Sequence, residues 1–137
     1  MKNNIDRSPT DASARQKAAI AVIEPRALMR HSLSRALSKI IASRLSGFES
    51  VEEWEKNARP NTTSLIVYSS PASSKSAELD AVEGISQCVA SIPLLVISSQ
   101  EEPNHIVALL DRGVRGFIPT SSSLEFAASQ TRRSRMS

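Results

Sequence analysis

Three short, uninterrupted apolar runs do most to limit what this chain can fold into: Ala18–Ile23 (AAIAVI), Leu65–Tyr68 (LIVY) and Leu94–Ile97 (LLVI). Each lacks the polar alternation of a half-exposed strand and is too short for an ordinary helix. A strand covered on both faces reads this way. The segments between them have a different period. After Pro25, Leu28, Met29, Leu33, Leu37, Ile40 and Ile41 recur at helical spacing, with Arg30, Arg35 and Lys39 off that stripe. The stripe is expected to be core, Leu28 included.

The remaining elements follow from local signals. Ser50-x-x-Glu53 is a capping box opening a short helix with Val51 and Trp54 on its apolar side, ending before Pro60. Leu79, Val82, Ile85 and Val89 mark a helix weakened by Gly84. Ile106, Val107, Leu109 and Leu110 mark another, stopped by Gly113. Ser122-x-x-Glu125 is a second capping box, ahead of Leu124, Phe126 and Ala127. Weaker strands are expected at Ser43–Leu45 and Arg115–Ile118. Strand and helix thus alternate five times, which implies right-handed crossovers and a parallel sheet with helices on both faces.

At 137 residues the chain suits one domain. We expect residues 1–17, with almost nothing apolar, to be a disordered tail, 18–130 the folded unit, and 131–137 a basic tail or linker. No apolar run is long enough to span a bilayer, so no membrane role is expected. The single cysteine, Cys88, excludes an internal disulfide and fits a cytoplasmic protein. It falls in an apolar helical stretch, where a packed thiol is expected. The net charge of +3 looks spread out, apart from Arg132, Arg133 and Arg135 near the end. That pattern predicts no compact phosphate-binding face, hence no direct nucleic-acid contact by this segment.

Two stretches then resemble a known family. Ile23–Leu33 (IEPRALMRHSL) is similar to the first strand–loop–helix of response-regulator receiver domains, and Pro93–Ser123 to their fourth strand through the start of their last helix. The fragment Gly113–Pro119 (GVRGFIP) is the most telling. The resemblance is closest to regulators that carry a LuxR/NarL-type helix-turn-helix after the receiver. It implies a flavodoxin-like, doubly wound sheet of five parallel strands in the order 2-1-3-4-5.

It also implies a site. In such domains an acidic pair after the first strand holds Mg²⁺, an aspartate ending the third strand takes the phosphoryl group, a Ser or Thr after the fourth bonds to it, and a Lys after the fifth pairs with it. Here Glu24 matches one acid and Pro25 occupies the other. The acceptor position falls at Ser69, or at Tyr68 if the alignment slips by one. Ser98 matches the hydroxyl position and Thr120 stands at the lysine position. The resemblance therefore implies a degenerate, non-phosphorylated receiver, with no cofactor and no metal.

Other chemistry fares no better in the sequence. Mg²⁺ uses one or two carboxylates plus phosphate oxygens, and Glu24 stands alone. A nucleophilic Ser69 or Ser98 needs an adjacent base, and the histidines, His31 and His105, fall inside helices. The four glycines form no phosphate-cradling loop. Trp54 and Phe48 are expected in the core. The expectation is thus a non-enzymatic module of transcriptional signalling, working by homodimerisation or contact with a protein partner. The family's usual face would use His105, Leu109, Arg112, Arg115, Phe117 and Phe126. The alternative is a small-molecule sensor or enzyme on the same fold.

Overall fold

The computed structural model describes residues 19–57, 62–71, 74–89 and 91–136. The expected N-terminal tail, Ala18, Pro60 and Ser73 lie outside them. The elements run β1 (Ala19–Ile23), α1 (Ala27–Ile40), β2 (Leu45–Phe48), α2 (Val51–Asn57), β3 (Thr63–Ser69), α3 (Lys75–Cys88), β4 (Leu94–Ser98), α4 (Pro103–Asp111), β5 (Gly116–Pro119) and α5 (Leu124–Met136). The five strands form one parallel sheet in the order β2-β1-β3-β4-β5. This is the flavodoxin-like arrangement expected.

The three apolar runs are the three inner strands, and their residues divide between two cores. Ile20, Val22, Leu65, Val67, Leu95 and Ile97 pack against α1 and α5 through Leu33, Leu37 and Ala127. Their neighbours Ala21, Ile23, Ile66, Tyr68, Leu94 and Val96 face α2, α3 and α4 through Trp54, Val82, Ile85 and Leu109. A two-residue period puts alternate side chains on opposite faces, so a run apolar throughout fills both cores.

Local signals hold with shifts. Trp54 is core, as expected, with its indole N–H 3.4 Å from Thr63 Oγ1. The first capping box forms: Glu53 N–H donates to Ser50 Oγ at 3.1 Å, and the Glu53 carboxylate accepts from Glu49 N–H rather than from Ser50. In the second, the cap is Ser123, not Ser122. Ser123 Oγ accepts from Phe126 N–H at 3.0 Å, while Ser122 donates to Pro119 O. Gly113 adopts φ +94°, a left-handed turn after α4 that a side chain would resist.

Four expectations fail. β2 begins at Leu45 rather than ending there, because an edge strand only half buried leaves a weak apolar trace. Leu28 is 81% exposed, and Met29 and Ile40 are partly so. Leu28, in the first turn of α1, lines a hollow rather than the packed core. Cys88 is exposed at the end of α3, not packed. Finally, α5 continues to Met136, so residues 131–136 are helix rather than tail, and Thr131 is buried. Among the described residues no helix is long and apolar enough to cross a membrane.

Folding also sorts the charges. Arg26 and the exposed Arg35, Lys39, Arg132 and Arg133 lie on the α1/α5 side, where Glu125 is the only acid of the two helices. The opposite layer carries Glu52, Glu53 and Glu55 on α2, Asp80 and Glu83 on α3, and Glu101, Glu102 and Asp111 around α4. Lys56, Lys75 and Arg112 lie among these acids, Lys75 paired with Glu102 and Arg112 with Glu83, so one side of the sheet is basic and the other acidic only in net charge.

Candidate functional site

In open α/β sheets, sites form outside the C-terminal strand ends where the strand order reverses, here between β1 and β3. Glu24 leaves β1 at that point, Ser69 ends β3, Ser98 ends β4 and Thr120 follows β5. The fold does bring the sequence-derived positions to one edge. They do not form one cluster, however. They separate into two polar networks on either side of the sheet.

The first centres on Glu24, whose side chain is fully buried. Oε1 accepts from Ser69 Oγ at 2.5 Å and from Arg26 Nη2 at 3.0 Å. Oε2 accepts from the Arg26 backbone N–H at 2.6 Å and from Arg26 Nε at 3.0 Å. Arg30 Nη1 adds a bond to the Glu24 carbonyl at 2.7 Å. Burial pushes the Glu24 carboxyl up, but the bonds from Arg26 and Ser69 outweigh it and hold the group below its ordinary value. The same bond holds the Arg26 guanidinium further above its own.

These residues do not suit a divalent cation. Both Glu24 oxygens are already taken, a guanidinium lies against the carboxylate, Pro25 offers no side-chain oxygen, and Ser69 turns its proton toward Glu24. Among the described residues no group of three or more His, Cys, Asp or Glu side chains is placed to hold a metal ion.

The second network sits among β4, α3 and α4. Ser98 Oγ donates to Glu78 Oε1 at 2.6 Å and accepts from Gln100 N–H at 2.9 Å. Glu78 Oε2 is 2.6 Å from His105 Nε2. Glu78 and Ser98 are completely buried and His105 nearly so. His105 Nδ1 is buried without a partner. Ser98, matched from sequence to a phosphoryl-binding hydroxyl, is therefore turned toward α3. Tyr68 lies on this side of the sheet, where burial and then the Glu78 and Glu52 charges push its phenol up, keeping it protonated.

Neither network is set up as a nucleophile relay. Such a relay places the histidine between the hydroxyl and the carboxylate, whereas Glu78 stands between Ser98 and His105. Ser69 does touch a carboxylate, but one held ionised by Arg26, which makes a poor base.

Two of the six expected interface residues need correction. His105 and Leu109 are buried, facing the sheet, and cannot form an outer surface. The exposed apolar side chains of α4 are Val107 and Leu110. Arg112 and Arg115 are exposed, Phe126 largely so, and Phe117 only partly. Glu78 and Arg26 were not singled out from sequence. Glu78 could have been, since it shares the stripe of Val82 and Ile85 at spacings of four and seven, where an acid must find a buried partner. Beside the first network, a cavity of about 580 Å³ opens between α1 and α5, lined by Arg26, Met29, Leu33, Ser69, Thr120 and Leu124 among others.

Sheet order, crossover pattern and the position of the strand-end residues define the fold class as that of the response-regulator receiver. Solved structures carry the comparison to particular proteins. A LuxR family DNA-binding response regulator from Silicibacter pomeroyi is similar with a TM-score of 0.71 at 20% identity, over 87% of this chain and 92% of that one. The non-phosphorylated HemR receiver domain of Leptospira biflexa gives 0.70 at 21% identity, over 85% and 93%. A pilus-assembly-related protein from Burkholderia pseudomallei gives 0.72 at 14% identity, over 89% and 92%. No protein-family model matches the sequence, and no curated protein matches it.

Proposed function

We propose that this chain is a degenerate receiver domain of two-component, LuxR/NarL-like transcriptional signalling, acting in the cytoplasm by protein–protein contact without phosphorylation. One observation carries the reading. At the reversal point of the sheet the ends of β1 and β3 supply Glu24, Pro25 and Ser69, and Arg26 already neutralises the one acid. Thr120, after β5, offers no cation to a phosphoryl group. With no carboxylate ending β3, the acyl phosphate that such domains use has nowhere to form. Any change of state must come from a partner with unequal affinity for two conformations.

The direct test is incubation with a small-molecule phosphodonor and Mg²⁺, read by intact mass. No mass gain is expected. A Mg²⁺-dependent gain of one phosphoryl group would end the proposal. The partner is a second copy or another protein, and DNA contact is not assigned to this segment. The cavity between α1 and α5 supports a second reading, as a small-molecule sensor. Under that reading, ligands that raise the melting temperature would lose their effect in Leu33→Trp, which fills the cavity.

A further inference from the structure

The large apolar side chains left in water are not scattered. Among the described residues they are Leu28, Met29, Ile40, Leu124 and Phe126 on α1 and α5, and Val107 and Leu110 on α4. Leu28, Met29, Ile40 and Leu124 border a groove along the α1/α5 seam, and Phe126 lies off it. The cavity of about 580 Å³ forms its upper part. A second hollow of about 360 Å³ continues it, sharing Ser32 and Leu124 and bringing in Arg35, Lys39 and Ile40. Apart from Glu125, the charges along this groove are positive: Arg35 and Lys39 from α1, with Arg132 and Arg133 further along α5; Arg26, just ahead of α1, is paired with Glu24.

Helix α4 has the complementary character. It is nine residues long, about 14 Å at the usual rise. Val107 and Leu110, three apart, stand on its outer side at 55% and 45% exposure. Acids bracket the pair: Glu101 precedes the helix and Asp111 ends it, while Glu102 is ion-paired with Lys75, and Arg112, after Asp111, with Glu83. An acidic amphipathic helix presenting apolar anchors at such spacing is the kind of element that a basic, apolar-floored groove receives.

We infer that a second copy of this chain is the occupant: α4 of one molecule docks in the α1/α5 groove of the next, head to tail. Both halves of the contact are on one molecule, matched in apolar character and opposite in charge. Opposite charge favours this pairing, and like charge disfavours either patch meeting itself. Because the two patches differ, the contact is heterologous, and repetition gives a ring or an open chain rather than a closed two-fold dimer. This deepens the protein-contact reading above but does not depend on the absence of phosphoryl chemistry, so its failure would leave the mass assay untouched.

The test uses the full chain and two surface variants. Arg35→Glu/Lys39→Glu reverses the groove and leaves α4 intact. Glu101→Lys/Asp111→Lys reverses α4 and leaves the groove intact. All four side chains are exposed, and circular dichroism would verify that both variants fold. Sedimentation should show the wild type associating with concentration, less so at high salt. Each variant alone should associate at least about tenfold more weakly. An equimolar mixture should recover the association, since one variant retains the helix and the other the groove. Wild type that stays monomeric at low salt and high concentration would overturn the inference. So would a variant that dimerises by itself as tightly as wild type, which would mean a symmetric contact through whichever patch remained intact.

Discussion

Two buried glutamates stand close to the same sheet edge, each bonded to a strand-end serine, and they are satisfied in opposite ways. Glu24 is clasped by Arg26, whose side chain is 63% exposed, so water can reach the partner that neutralises it. Glu78 meets His105 in a pair whose side chains are both about 1% exposed, so no water can replace either one. The first network is a local Glu24–Arg26 clasp with one long-range bond, from Ser69 at the end of β3. The second ties β4, α3 and α4 together. The contrast teaches that sealing from solvent, more than bond count, decides what losing a partner costs.

Mutation can break that contrast. His105→Ala strands a carboxylate in a dry site and opens a hole beside it, and should lower unfolding stability by about 3 kcal/mol in urea titrations. Ser69→Asp puts a second carboxylate against Glu24 and should cost about 2 kcal/mol in the same titration. Arg26→Ala should cost only about 1 kcal/mol, since water takes over the exposed partner's role. If it cost as much as His105→Ala, the distinction between the two networks would be wrong.

Acid titration sharpens the Glu24 side. Its carboxyl is held below the ordinary value in the folded state, so it binds protons more weakly there than in the unfolded chain. Its contribution is therefore present above the unfolded carboxylate value and lost as pH falls through the lowered one. Comparing Glu24→Gln with wild type across that range should show a shallower loss of stability in the variant. The smallest effect is at the rim of the acidic layer. A hydrogen bond to Glu55, then desolvation, pushes the exposed Cys88 thiol up, so it should react slowly with a disulfide reagent at neutral pH. Glu55→Gln should speed that reaction about threefold by raising the thiolate fraction.

Much of the fold was legible because its strongest signal is local. A strand buried on both faces must be apolar through its middle, and the inner strands are, with polar residues only at the ends of β3 and β4. β2 was blurred because an edge strand needs only one apolar face, and Leu28 misled because periodicity cannot say where a hollow interrupts the packing along a helix. The strand-end positions were found through resemblance, yet their partners were not. Arg26 follows Glu24 by two residues but reads as an ordinary helix-start arginine. The Glu78–His105 bond joins residues 27 apart in sequence, through a packing of α3 on α4 that no local pattern encodes. Charge was the least legible property. Along the chain the charges come in short blocks, from Arg26 to Arg44 basic and from Glu78 to Asp111 acidic, but only the side of the sheet to which each helix crosses shows which blocks share a face.

That separation reaches beyond the molecular surface. With positive groups gathered on one side of the sheet and negative groups on the other, the protein behaves as an oriented dipole. An approaching charged molecule feels a torque and turns before it touches, most strongly in dilute salt. Encounter is then selective in direction as well as in strength, a property carried by the winding of the sheet rather than by any single side chain.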